Sequence, residues 1–432
     1  MFMLIVSQEI LAQQLPNFVI ILTDDQGWNA LSTPMDPDIP GSGSAYYQTP
    51  NLDNLAKEGT RFPNAYSSAP TCAPSRHSLQ FGRTPANLQI WKGDGIKTYD
   101  ARDEDALANV LKECYPQYNT AHFGKWHIAH SPSQLGFEIN DGANPNLKKS
   151  TNPDTDPKYT FSLTHKAIDF IETQNNAKHP FLLQVSYYAN HLYFEAKPET
   201  IKKYTYDRAD NKTAYQNNPV FAAMNEDLDT GIGMLIHKLK QLGIYDNTYI
   251  IFTSDNGYEA KLDFDKPYEE RGYYKAHPLK SHKYLINEGG LRVPFIIKGP
   301  DVPQNTISRT PVSTIDIYPT ILGILNLSKK IPTAVEGGNM MPNVLSAGKA
   351  PIERKNSFMI FRYSKPQLSK DIAIIEGDYK LIKTETSRLF LYNLKEDYGE
   401  RHNLIDKYPE LAAKLNSKMV NYFEGLKGKI KN

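Results

Sequence analysis

Three observations predict an α/β fold, a large and mostly parallel sheet between helices with a small α+β unit after it. Apolar strand-like runs alternate with amphipathic helices through most of the chain. Two of those runs stop abruptly in oxygen-rich turns, Asp24-Asp25-Gln26-Gly27 and Ser254-Asp255-Asn256-Gly257. The last part of the chain carries four short strand patterns in succession, then one helix.

Each element has its own reason. Residues 18–22 (FVIIL) are a continuous β-branched run, as a strand buried on both faces requires. Residues 51–59 set Leu52, Leu55 and Ala56 on one helical face, closed by Gly59. Cys72-Ala73-Pro74-Ser75-Arg76 reads as a turn, and residues 104–113 as an amphipathic helix. Cys114 after it reads as packing. Residues 124–127 (GKWH), if extended, point Lys125 and His127 to the same side. Residues 140–160 read as a long substrate-facing loop, 161–173 as a helix, and 181–188 (FLLQVSYY) as a second buried strand ending near His191. Residues 196–218 are a second polar rim. Leu228, Ile232, Leu235, Ile236, Leu239 and Leu242 mark a helix stopped by Gly243. Residues 249–253 and 292–297 are further strands, and 315–325 a helix. Residues 328–356 are rich in Pro, Gly and Lys and read as a linker. Strands follow at 357–363, 371–376, 379–383 and 388–392, then a helix over 409–425. The predicted division is a tail over 1–15, a catalytic domain over 16–335 and a C-terminal subdomain over 336–432.

Composition excludes several classes. The 432 residues are 40% hydrophobic, enough for a sizeable core. A net charge of +1 gives no field that would favour nucleic acid or an anionic membrane. Two cysteines, Cys72 and Cys114, make no disulfide framework. No run is long and apolar enough to span a membrane. The run at residues 1–6 reads as the remnant of a secretory signal. Export to the periplasm or the medium follows.

Single residues leave their roles open. Adjacent carboxylates at a strand end are either a solvated turn or ligands for a hard divalent cation. A lone cysteine is usually inert packing. A histidine at a strand end serves a loop as readily as a site.

Taken together, these stretches resemble one family in its own order. Residues 17–27 (NFVIILTDDQG), Cys72 to Arg76 (CAPSR), Gly124 to His127, Ser254 to Gly257 and residues 283–294 (KYLINEGGLRVP) resemble the type I sulfatases of the alkaline phosphatase superfamily. Residues 391–394 and 400–404 resemble that family's C-terminal part. Two departures are Phe81-Gly82, where the family often has Thr-Gly, and Asp397-Tyr398-Gly399-Glu400 for Asp-Pro-x-Glu.

The resemblance implies an alkaline-phosphatase-like sheet and a sulfate ester hydrolase. It implies that a formylglycine-generating maturation enzyme oxidises Cys72 to formylglycine (3-oxoalanine), whose hydrate attacks sulfur. Asp24, Asp25, Asp255 and Asn256, with residue 72, are the implied ligands of Ca2+, with Mg2+ as the alternative. Asp255 accepts the nucleophile's proton, and Arg76 and Lys125 hold the hydrate. His191 protonates the leaving alcohol beside Lys283, which binds the sulfate. Lys125 and His191 also face substrate, and His127 takes the proton that lets sulfate leave. His277 and His282 read as ordinary loop residues.

The substrate reading is a sulfated polysaccharide or its oligosaccharides, with an aryl or other small sulfate ester as the alternative. Three other readings stay open. They are a phosphodiester or phosphonate hydrolase of the same superfamily, a sulfated-glycan binding protein, and a cysteine hydrolase with a thiolate nucleophile.

Overall fold

The computed structural model describes residues 15–90, 101–147, 149–204, 218–259, 278–363 and 370–427. The strands are β1 (Asn17–Thr23), β2 (Thr60–Arg61), β3 (Ala65–Tyr66), β4 (Asn119–Gly124), β5 (Ile139–Asn140), β6 (Phe181–Ser186) and β7 (Thr248–Ser254). They continue with β8 (Phe295–Lys298), β9 (Thr306–Ile307), β10 (Val312–Ser313), β11 (Met359–Arg362), β12 (Ile372–Glu376), β13 (Tyr379–Lys383) and β14 (Leu389–Asn393). Eight of them form one sheet in the order β5-β4-β6-β1-β7-β8-β2-β9. Within it β8 alone runs antiparallel to its neighbours.

The strand predicted to be buried on both faces is so, and it lies inside the sheet. All seven residues of β1 are buried, paired in parallel with β6 on one side and β7 on the other. Its side chains alternate between two cores. Phe18, Ile20 and Leu22 face one, and Val19 and Ile21 face the other. The long helix Pro219–Gln241 packs Leu228, Ile232, Leu235 and Leu239 into the second core.

The stretch 328–356 does not behave as a linker. Val335, Met340, Met341, Val344 and Ile352 are buried in the first core, because its apolar residues are spaced around the short helix Met341–Leu345. The C-terminal part is a four-stranded antiparallel sheet, β11-β12-β13-β14, covered by the helix Pro409–Lys427. Ala412, Leu415 and Met419 of that helix meet Ile360, Ile374, Leu381 and Leu391.

Candidate active site

β1, β4, β6 and β7 are mutually parallel, so their carboxyl ends share one edge. Ligands of open α/β sheets bind outside that edge. β1 leads into Asp24 and Asp25, β4 into Lys125 and His127, β6 towards His191, and β7 into Asp255 and Asn256. Backbone bonds hold these exits together. Asp24 N donates to Ala189 O at 3.0 Å, Asp255 N to Thr23 O at 3.0 Å and Lys125 N to Ser186 O at 2.8 Å. Gly124 has φ +97°, and a Cβ there would stand 2.1 Å from Ser186 O. Only glycine lets β4 end so close to β6.

The strand alternation predicted for 124–127 is absent. β4 stops at Gly124, and His127 takes a left-handed φ of 57°. Lys125 and His127 reach the same site by this turn. Cys72 is not on a turn either. It opens the helix Cys72–Phe81, with Thr71 extended before it. Pro74 falls in the first turn, where its missing N–H loses no intrahelical bond. The helix thus presents the positive end of its dipole at Cys72.

Around Cys72, charges alternate at short range. Its Sγ lies 3.6 Å from Asp24 Oδ1 and 4.0 Å from Asp25 Oδ1. Lys125 Nζ donates to Asp24 Oδ2 at 2.5 Å, and Lys283 Nζ to Asp25 Oδ2 at 2.7 Å. Arg76 Nε donates to Asp255 Oδ2 at 2.8 Å and its Nη1 to Lys125 O at 2.5 Å. Asn256 Nδ2 donates to Asp25 Oδ1 at 2.7 Å. His191 Nε2 stands 3.8 Å from Asp25 Oδ2. Its Nδ1 is 2.7 Å from Leu192 O, an acceptor only, so Nδ1 carries the proton in the neutral ring and Nε2 faces the site.

Burial and charge set the protonation states. Burial pushes the Cys72 thiol up to about 12, despite Lys125 and Lys283. A thiolate nucleophile is therefore unsupported here. Burial opposes ionisation of Asp24 and Asp25, but Lys125 and Lys283 override it and hold both below the usual carboxylate value. Burial, with Lys125 and Arg76 nearby, pulls His127 down to about 3. That ring is neutral at pH 7, and its buried Nδ1 has no hydrogen-bond partner.

The donor set fits a hard divalent cation. Asp24, Asp25, Cys72 and Asp255 each offer a ligand atom, all within 4.8 Å of one another. Asn256 Oδ1 is buried without a partner, an unfilled acceptor beside three carboxylates. The carboxylates of Asp24, Asp25 and Asp255 face three cations, Lys125, Lys283 and Arg76.

The residues given site roles in the sequence converge here, Cys114 packs against the first core as expected, and His277 lies outside the described residues. His282 is buried beside the site lysine, its Nδ1 2.9 Å from Lys283 O. Two further charged residues border the site without having drawn notice in the sequence. Glu259 Oε2 lies 3.2 Å from Lys283 Nζ and 3.9 Å from His191 Nε2. Its one signal was position, two residues past the Asp255-Asn256-Gly257 turn. Lys158 is buried in the polar stretch 140–160, within electrostatic reach of Asp24, Asp25 and Lys125.

Comparison with known proteins agrees with this geometry. A family profile described as Sulfatase matches residues 16–327. A second, described as N-sulphoglucosamine sulphohydrolase, C-terminal, matches residues 277–425. An ulvan-active sulfatase of Formosa agariphila is 28% identical over 96% of this chain and 83% of its own length. The N-acetylgalactosamine-6-sulfatase of Mus musculus is 27% identical over 77% of this chain and 67% of its own. The solved structure of Ps i-CgsB in complex with k-i-k-neocarrahexaose superposes with a TM-score of 0.76 at 25% identity. It covers 95% of this chain and 93% of that one.

Proposed function

The chain belongs to the sulfatase family and is a sulfuric ester hydrolase, and from that premise we propose that it desulfates sulfated polysaccharides or their oligosaccharides, using formylglycine at residue 72 and a divalent cation. The observation that carries this is the setting of Cys72. It lies among three carboxylates and three cations, beside an unfilled amide oxygen. The ulvan-active sulfatase and the N-acetylgalactosamine-6-sulfatase, and the neighbour solved with k-i-k-neocarrahexaose, support a glycan substrate.

Asp24, Asp25, Asp255, Asn256 and residue 72 would hold the cation. Calcium suits them better than magnesium, since it accepts irregular sets of oxygen ligands. Once in place, the cation and the hydrated aldehyde supply charge neutralisation at sulfate and an oxygen nucleophile that can later expel sulfate.

The side chains do the rest. Lys125, Lys283 and Arg76 offer cations for the sulfate oxygens and for the hydroxyls at residue 72. Asp255 accepts the proton of the attacking hydroxyl. His191, its Nδ1–H engaged by Leu192 O, is oriented so that in its imidazolium form it passes the Nε2 proton to the leaving alcohol. His127, neutral and with Nδ1 unpartnered, is the base for the step that frees sulfate. Cys72 is only 4% exposed, so a formylglycine-generating enzyme must reach it before the chain folds. Polysaccharides do not cross a cell membrane intact, which favours a periplasmic or secreted enzyme. No helix among the described residues is long and apolar enough to cross a membrane.

The test is sulfate release from a panel of sulfated polysaccharides and their oligosaccharides. Calcium-loaded protein is used, with residue 72 shown by peptide mass to be the aldehyde. Release from a glycan, absent in Cys72→Ala, is the expected result. Turnover of only an aryl sulfate, or of a phosphodiester, would overturn the glycan assignment.

A further inference from the structure

The histidine assigned to the leaving alcohol opens an exposed apolar stretch. Leu192 is 37% exposed and Tyr193 57%, unusual for large hydrophobic side chains in this structure. His191 is tied to that stretch through Leu192 O. Two residues of chain span at most about 7 Å, the length of roughly one sugar ring. A glycan whose leaving oxygen sits at His191 Nε2 therefore has its next sugar within reach of Tyr193.

A cation accompanies the aromatic ring. Lys149 Nζ stands 5.8 Å from the Tyr193 ring centroid. The loop that carries Lys149 is fastened to the histidine's own segment. Glu195, buried, accepts from Ser150 N at 3.0 Å and from Lys158 N at 3.1 Å. The rim is thus a fixed surface with an aromatic face and a cation beside it. An aromatic face packs on the C–H side of a pyranose, and the cation matches an anionic substituent.

We propose that Tyr193 and Lys149 form a subsite for a negatively charged sugar on the leaving-group side, so that the preferred glycan carries a second carboxylate or sulfate next to the scissile one. This rests on the sulfatase reading above, and the test separates the two.

Binding is measured on the Cys72→Ala protein, which cannot turn over. The probes are size-fractionated oligosaccharides of ulvan, carrageenan and chondroitin sulfate. Tyr193→Ala and Lys149→Ala are added in turn, both at exposed positions where folding is undisturbed. Leu345→Ala, at another exposed hydrophobic residue (53% exposed), is the control. At least one probe should bind, and each rim variant should weaken it tenfold or more while Leu345→Ala does not. In the matured enzyme, the same rim variants should lower kcat/KM for that glycan, relative to 4-nitrophenyl sulfate, by a similar factor. No binding by any probe, or affinity unchanged in both rim variants, overturns the subsite. Binding that depends on the rim, without sulfate release by matured wild-type protein, leaves the subsite standing and overturns the hydrolase reading instead.

Discussion

Among the described residues, two buried charge clusters are finished differently. One joins the C-terminal sheet to the larger unit. Lys380 of β13 places Nζ 2.9 Å from Glu288 Oε1 and 2.9 Å from Glu400 Oε1. Arg292 Nε donates to Glu288 Oε2 at 2.7 Å, Tyr66 adds a bond at 3.1 Å, and Glu288 N donates to Glu400 Oε2 at 2.9 Å. Every carboxylate oxygen there faces a cation or a donor, Glu400 Oε1 through its ion pair with Lys380 and not through a hydrogen bond. The other cluster, around Cys72, has the same balance of charges but leaves Asn256 Oδ1, Arg76 Nη2 and His127 Nδ1 unpartnered. An interior built only for stability closes its hydrogen bonds. Open valences beside paired charges mark a place meant for something else.

The sharpest way to break that contrast is to remove one side chain from each cluster. Cys72→Ala should lower sulfate release by about 10^6-fold, the scale for losing a nucleophile. Its unfolding free energy in urea should move by no more than about 1 kcal/mol, since only a sulfur atom is lost. Lys380→Met should do the reverse. It leaves the buried Glu400 without a cation and Glu288 with Arg292 alone, and breaking such a buried pair costs about 3–5 kcal/mol. Whatever protein remains folded should keep its turnover per active site. If Lys380→Met proves as stable as wild type, the closed cluster is not the structural clamp described here.

Metal exchange probes the open cluster alone. Stripping divalent ions with EGTA should abolish sulfate release, and calcium should restore it. Calcium at about 100 times its dissociation constant should add about 2.7 kcal/mol of stability. The same treatment of Asn256→Leu should add less, because that variant lacks the unfilled acceptor. An equal gain in both proteins would detach Asn256 from the ion.

The sequence carried most of this because the fold writes its site along one line. β1 and β7 are uninterrupted apolar runs, so the oxygen-rich residues at their ends stood out, and parallel pairing brings such ends together. What was hidden has local causes. Helix Cys72–Phe81 looked like a turn because Pro74 normally breaks helices, and only its place in the first turn exempts it. His127 was expected on a strand, but Gly124 ends that strand. The packed stretch 328–356 looked like a linker because its apolar residues are sparse and find partners only in the tertiary fold. Glu259 and Lys158 had no pattern to mark them. Their place depends on loops crossing the sheet edge, which no spacing in sequence reports.

The smallest effect predicted tests whether an open valence is enough by itself. His122 is fully buried, with Nε2 3.0 Å from Ser186 Oγ and Nδ1 unpartnered. Its surroundings are aromatic, the edge of Trp126 at 4.6 Å and Phe137 at 5.7 Å between centroids. No carboxylate among the described residues pairs with it, so by the contrast above it is structural. Burial, with Arg76 nearby, pulls its pKa down to about 3, against 6.5 when unfolded. The folded ring is therefore neutral while the unfolded one gains a proton below pH 6.5. Its contribution to stability is complete above that value and is lost as pH falls towards 3. The loss between pH 7 and 5 is about 2 kcal/mol for one such group. His122→Asn should flatten urea-measured stability over that interval by about this amount, and leave the calcium response intact. A variant that keeps the wild-type slope, or loses calcium binding, would move His122 from the structural side of the comparison to the functional one.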